Sequence, residues 1–232
     1  MKKSVIAVIT LLVVLPVVGG SKRDRVSLYP DIRQGIRTAV AEFDLIGEQR
    51  REKLRELSAY VRSQNRLGKP VNLTFICTRN SRRSHMAQIW AQTAAAFYGI
   101  HNLTAYSGGT GSSAFNPRAV AAIRRAGFKV EKTTEGENPI YHVRYSDQRP
   151  AMTHFSKLYD SAPNPTKDFC AVMTCSAADK ACPLVRGASA RVALPFVDPK
   201  AFDGTDQEAA KYDERSRQIC REMLYMFSEA KR

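Results

Sequence analysis

The 232-residue chain is poor in cysteine, histidine and tryptophan, with five, four and one respectively. The cysteines, Cys77, Cys170, Cys175, Cys182 and Cys220, are too few and too unevenly spaced for a disulfide scaffold, and their odd number leaves at least one thiol free. None forms the C-x2-C pair of a zinc site, and His85, His101, His142 and His154 are scattered, so no metal centre is expected. Long apolar runs are absent apart from one at the N-terminus, which excludes a polytopic membrane protein. Acidic groups are the scarcer sign, 22 against 36 Lys and Arg for a net charge of +14. That surplus is spread along the chain without a dense basic tail, so no nucleic-acid partner is expected and a small anionic substrate fits better. Nucleophilic or redox chemistry is what remains for the thiols.

Met1-Lys2-Lys3, the apolar stretch from Val5 to Val18 and Gly19-Gly20-Ser21 have the basic start, apolar centre and small-residue exit of a secretory signal over residues 1–20. The stretch would rise about 21 Å as a helix, short of the roughly 30 Å hydrocarbon core, so a signal peptide is favoured over a short membrane tether. Export to a compartment such as the periplasm, or tethering to the membrane, is therefore the expectation, with a cytoplasmic protein as the alternative. Residues 21–69 read as a helical, peripheral extension that packs on, or leads into, the main domain and carries no catalytic signature: Leu54, Leu57 and Val61 recur at helical spacing among charged residues until Gly68-Lys69-Pro70.

Residues 70–232 alternate strands with helices. Val71 to Ile76, Thr104 to Ser107, Phe169 to Thr174 and Arg191 to Val197 read as strands, with Phe128 to Val130 as a brief extended piece. Ser84 to Tyr98, Pro117 to Ala126 and Gln207 to Glu229 read as helices. This order predicts an α/β fold, an open parallel sheet flanked by helices.

The decisive segment is Cys77-Thr78-Arg79-Asn80-Ser81-Arg82-Arg83-Ser84, between the first strand and its helix. Such sheets bind ligands at the carboxyl ends of their strands, where the next helix offers unpaired N–H groups and a positive dipole end. A loop of this length curls around a tetrahedral oxyanion with its amides inward, and Arg83 closes the ring with a bidentate guanidinium. The same field should lower the Cys77 pKa and make the sulfur a nucleophile. Thr78, Arg79, Asn80, Ser81, Arg82 and Ser84 complete the expected substrate-binding set. Within it, Asn80 holds the loop through bonds to the backbone, and Ser84 donates to the sulfur or caps the helix. Cys170, Cys220 and Trp90 are expected in the core.

From Phe75 to Ala87, F-I-C-T-R-N-S-R-R-S-H-M-A resembles the oxyanion loop of the low-molecular-weight protein tyrosine phosphatases and of the thioredoxin-coupled arsenate reductases built on the same fold. Tyr106-Ser-Gly-Gly-Thr110, Asn116-Pro-Arg-Ala-Val120 and Asp198-Pro199 extend the resemblance over residues 70–232. It implies that Asp198 is the general acid protonating the departing oxygen. Cys175 and Cys182, with Pro183 following, look like the paired resolving cysteines of the reductases. The resemblance then implies a three-cysteine relay from Cys77 through Cys175 to Cys182, emptied by an external dithiol such as thioredoxin and requiring no bound cofactor. Seven positions cannot be bridged within a regular helix or strand, so the segment must loop or unwind.

This chain also departs from the family pattern. Arg79 stands where Gly is frequent and Arg82 where a second Cys is common, which adds positive charge to the loop. Gln88 replaces a frequent acidic residue, which weakens any cation site there. Lys200-Ala201-Phe202 stands where phosphatases carry tyrosines, which favours a small inorganic oxyanion. The leading expectation is arsenate reduction. The alternatives are hydrolysis of phosphotyrosine or small phosphomonoesters through a phosphocysteine, and an inactive oxyanion-binding or redox-sensing module.

Overall fold

A computed structural model of the protein describes residues 26–232. The expected signal or tether of residues 1–20 lies outside the described residues, and among those described no helix is long and apolar enough to cross a membrane. The chain enters through α1 (Pro30–Ala41), a single 3-10 turn (Phe43–Leu45) and α2 (Glu48–Arg66). It continues through β1 (Val71–Cys77), α3 (Arg83–Tyr98), β2 (Leu103–Gly109) and α4 (Pro117–Arg125). Three short strands follow, β3 (Lys129–Lys132), β4 (Tyr141–Arg144) and β5 (Met152–His154). The rest is β6 (Phe169–Met173), α5 (Ser176–Ala181), β7 (Ala188–Ala193), a 3-10 turn at Pro199–Phe202 and α6 (Glu208–Lys231).

The main sheet is parallel in the order β2-β1-β6-β7, as the alternating pattern predicts. Apolar β1 and β6 lie centrally and are buried along nearly their whole length, as strands covered on both faces must be. Ile76 pairs with Met173 and Cys77 with Gly109, so three strands end together at one edge of the sheet, where the loop after β1 begins. At the outer edge, the side-chain amide of Gln92 donates to the Leu103 carbonyl at 3.3 Å and accepts from the Ala105 amide at 3.0 Å.

The N-terminal extension packs on the main domain, and does so deeply. Ile32, Ile36, Leu54, Leu57 and Val61 are buried in the same core as Met223, Met226 and Phe227 of α6. Ser58 Oγ also donates across to the Met226 carbonyl at 2.7 Å. Each such apolar side chain contributes about 1.5–3 kcal/mol when fully buried. The charged face of α2 conceals from a sequence reading how deep its apolar stripe sits.

Other differences are local. The second sheet, antiparallel β3-β4-β5, was foreshadowed only by the extended piece at Phe128 to Val130, because its strands are short and β3 is mostly exposed. The last parallel strand runs from Ala188 to Ala193 rather than from Arg191 to Val197. Hydrogen bonds from Leu194 to Met173 and from Phe196 to Thr174 nevertheless prolong the contact toward Asp198. Trp90, Cys170 and Cys220 are core residues as expected, and burial pushes the Cys170 thiol up to about 12 and raises that of Cys220.

Candidate active site

Cys77 closes β1 with 4% of its surface exposed. The loop after it is held from outside. The carbonyls of Cys77 and Thr78 accept from the Thr110 and Gly111 amides at 3.0 and 2.8 Å. The Arg79 carbonyl accepts from Ser156 Oγ at 2.9 Å, and that of Ser81 from the Asn116 amide at 2.9 Å. Among the described residues, no amide from Thr78 to Arg82 donates to a protein acceptor. Backbone donors rarely go unused, so a run of five suits an anion.

Asn80 is the keystone. Its φ of +42° lies in the left-handed region that Asn tolerates better than most residues. Its side chain is wholly buried, with Oδ1 accepting from the Lys157 amide at 3.0 Å and Nδ2 donating to Ser84 Oγ at 2.9 Å. Ser84 Oγ in turn lies 3.1 Å from Cys77 Sγ, so Asn80 fixes the hydroxyl that faces the sulfur. A Cβ on Gly109 would stand 2.7 Å from the Asn80 nitrogen and one on Gly108 would collide with the Tyr159 Cα, which explains why the strand beside the loop ends in Gly108-Gly109.

Asp198 reaches the loop from beyond β7. Arg82 grips it with Nε on Oδ1 at 2.9 Å and Nη2 on Oδ2 at 3.3 Å, and Arg83 donates from Nη2 to Oδ2 at 2.7 Å. The second Arg83 amino group donates to the Phe196 carbonyl at 2.9 Å. Burial works against the Asp198 charge, but the Arg82 hydrogen bond and the fields of Arg83 and Arg82 outweigh it and hold the carboxyl below its ordinary value. Arg83, expected to close a ring around an oxyanion, is thus engaged by Asp198 and Phe196, and Arg82 shares the carboxylate with it.

Cys77, Thr78, Arg79, Ser81, Arg82, Arg83 and Asp198 line one pocket of about 100 Å³, with Asn80 and Ser84 behind it. Cys175 lies beside this group. It is 1% exposed, accepts from the Ala178 amide at 3.4 Å as the cap of α5, and its sulfur is 3.4 Å from Thr78 Oγ1. Cys182 sits at the other end of α5, partly exposed, and packs on the apolar cluster that contains Cys77 and Cys175. The residues expected at the site, from the loop after Cys77 to Asp198, Cys175 and Cys182, are therefore gathered at one end of the sheet.

Sequence reasoning missed the groups behind the loop. Ser156 holds its backbone at Arg79 and the Lys157 amide holds the Asn80 side chain, and the fully buried His85 and His154 face each other with Nδ1 atoms 3.1 Å apart, Ser107 Oγ lying 3.2 Å from the first. Burial, with the charge of Lys157 adding to it, lowers His154 to about 3. Burial, the neighbouring His154 and Lys157 hold His85 well below its usual value. Both shifts favour the neutral imidazole, with one ring donating and the other accepting at the Nδ1 contact. Only spatial proximity unites these residues, so no local pattern announces them.

A parallel sheet ending in a cysteine loop, with an arginine-bound aspartate facing it, is an arrangement that suits an oxyanion beside a thiol. The family model described as low molecular weight phosphotyrosine protein phosphatase matches residues 72–140. An arsenate reductase of Bacillus licheniformis is 28% identical over 155 residues, covering 67% of this chain and 93% of that protein. Arsenate reductase 2 of Staphylococcus epidermidis is 30% identical over 125 residues, 54% of this chain and 76% of that protein. Among solved structures, the low molecular weight protein tyrosine phosphatase of T. tengcongensis aligns over 68% of this chain and 98% of its own at 15% identity, with a TM-score of 0.47. The chain belongs to this family of low-molecular-weight phosphatases and arsenate reductases and is an enzyme of it, its chemistry being arsenate reduction or phosphatase action.

Proposed function

We propose that this enzyme reduces arsenate to arsenite with Cys77 as nucleophile and Cys175 and Cys182 as successive resolving thiols. The observation that carries the reading is the position of Cys175, buried against the loop with its sulfur 3.4 Å from Thr78 Oγ1 and sharing an apolar cluster with Cys77 and Cys182. A phosphatase needs no second thiol there. The pocket of about 100 Å³, lined by no aromatic side chain, also suits an inorganic oxyanion better than a phosphotyrosine ring.

Arsenate enters the loop against the amides of Thr78 to Arg82 and the guanidiniums of Arg82 and Arg83. Its charge competes with Asp198 for both arginines, so the carboxyl gains proton affinity on binding. The Cys77 thiolate attacks arsenic, and an oxygen departs as water with the proton that Asp198 supplies. The Cys175 thiolate then attacks the Cys77 sulfur. The sulfur–arsenic bond breaks with its electron pair left on arsenic, releasing arsenite and forming the Cys77–Cys175 disulfide. Cys182 attacks Cys175, which frees Cys77 and leaves a Cys175–Cys182 disulfide for an external dithiol of the thioredoxin kind.

That last bond requires α5 to unwind. Seven positions along a helix span about 10 Å, whereas disulfide Cα atoms lie roughly 4.4–6.8 Å apart. Arsenite production under a dithiol reductant, measured beside p-nitrophenyl phosphate hydrolysis, tests the reading. Cys175→Ser should abolish arsenite turnover and keep the hydrolysis. Undiminished arsenite turnover in that variant would sink the relay, and hydrolysis without any arsenite from the unaltered chain would make the enzyme a phosphatase.

A further inference from the structure

Arg50 lies in the first turn of α2, ahead of residue 72 where the family match begins, yet it reaches the root of the segment that carries Asp198. Its guanidinium is held by the almost fully buried Glu222 of α6, through a hydrogen bond from Nε to Oε2 at 2.8 Å and an ion-pair contact of Nη2 with the same oxygen at 2.7 Å that makes no hydrogen bond. The other Glu222 oxygen accepts from Gln218 at 2.8 Å, so the carboxylate is committed on both sides. Held in this way, the Arg50 Cζ stands 4.6 Å from the centroid of the Phe196 ring.

Phe196 is 3% exposed and its peptide is already anchored twice, its amide to the Thr174 carbonyl at 3.0 Å and its carbonyl to Arg83 at 2.9 Å. Asp198 follows two residues later, after the largely exposed Val197, which anchors nothing. The direction in which Asp198 leaves the sheet is therefore set at Phe196. The Arg50 guanidinium lies over the ring and holds it by the attraction of a cation for an aromatic face.

We propose that Arg50 is a positioning residue through which the N-terminal extension sets the reach of Asp198 toward the departing oxygen. The proposal rests on the reading of Asp198 as the general acid, and it deepens that reading by giving the extension a share in the chemistry. A bare structural role for Arg50, neutralising Glu222, would slow every substrate alike. A role through Asp198 is felt only where the departing oxygen needs a proton. In ester cleavage the Cys77 sulfur bonds to phosphorus, the P–O bond breaks with its electron pair on oxygen, and that oxygen takes the Asp198 proton. Phenolate needs the proton badly and p-nitrophenolate hardly at all.

The experiment compares kcat and KM for phenyl phosphate and p-nitrophenyl phosphate in the full chain, with melting temperatures alongside. Arg50→Lys keeps a cation for Glu222, and the double variant Arg50→Met with Glu222→Gln removes both charges so that no carboxylate is left buried alone. Asp198→Asn serves as the reference. Each Arg50 variant should lose about tenfold in kcat on phenyl phosphate and less than about twofold on p-nitrophenyl phosphate, with KM little changed, a fraction of what general acid catalysis contributes. Equal losses on both esters, or none, while Asp198→Asn discriminates between them, would overturn the role of Arg50 and leave that of Asp198 standing. If Asp198→Asn fails to discriminate, or the unaltered chain hydrolyses neither ester, the acid reading falls and this proposal with it. Should Arg50→Lys melt well below the unaltered chain, the double variant decides by the same ratio.

Discussion

The loop after Cys77 and the segment from Cys175 to Cys182 sit side by side and are built on opposite plans. Four carbonyls of the loop are tied from outside, and a buried Asn80 ties its interior to Ser84 and Lys157. The other segment is a helix of six residues, with Arg191 as its main strap through the Asp179 side chain, the Asp179 carbonyl at 2.8 Å and the Cys182 carbonyl at 3.2 Å. Leu184, just beyond it, is 89% exposed. The difference follows from what each must do in the proposed cycle. A cradle that stabilises developing charge works only if its dipoles are fixed beforehand. A shuttle that carries a disulfide away from the site must be able to come apart.

Acid breaks the rigid side first and most completely. His154 falls to about 3 in the folded protein against an ordinary 6.5, and His85 is lowered too, so folding is undiminished by them above about 6.5 and loses stability as pH drops toward 3. Thermal melts across that window should show a decline that His154→Phe, paired with His85→Leu, reduces. The next largest effect is expected from Asn80→Ala, which strands the Lys157 amide and leaves a residue with no polar side chain at positive φ. It should cost about a hundredfold in kcat, the scale of a small misplacement of reacting groups, and about 1–3 kcal/mol of stability.

Arg82→Ala separates the two arginines. It removes two of the bonds that hold Asp198 ionised, so the Asp198 pKa should rise and the descending alkaline limb of the kcat/KM profile should move to higher pH. KM for the oxyanion should rise about tenfold with the loss of one charge-assisted contact. The smallest effect belongs to the segment from Cys175 to Cys182. Arg191→Ala should lower stability by about 1 kcal/mol or less and speed Cys175–Cys182 disulfide formation a few-fold, leaving p-nitrophenyl phosphate hydrolysis unchanged. If it slows that hydrolysis as much as Asn80→Ala does, the two regions are not independent.

The sequence exposes this contrast unevenly. The loop is legible because Cys77 to Ser84 is contiguous and lies between an apolar strand and a helix, so chemistry and local structure share one short window. α5 is not legible, since six residues are too few for a helical period, though the need for the segment to rearrange could be read from the cysteine spacing alone. Lys157, Ser156 and the histidine pair were invisible because β3, β4 and β5 have no sustained alternation to announce the sheet that brings His154 to His85. Arg50 is one of several arginines on α2, and nothing local to the helix marks which of them finds Phe196.

Gln92, on a helix, supplies one donor and one acceptor to the open margin of β2, the same pair that a neighbouring strand would offer there. A parallel sheet of four strands with a bare side is an invitation to self-assembly between molecules. The Gln92 amide spans the Leu103 carbonyl and the Ala105 nitrogen, and further along the Asn164 amide takes the Ser107 carbonyl while Lys157 and Tyr159 take the Gly109 backbone, so the margin of β2 keeps few free groups for another strand to pair with.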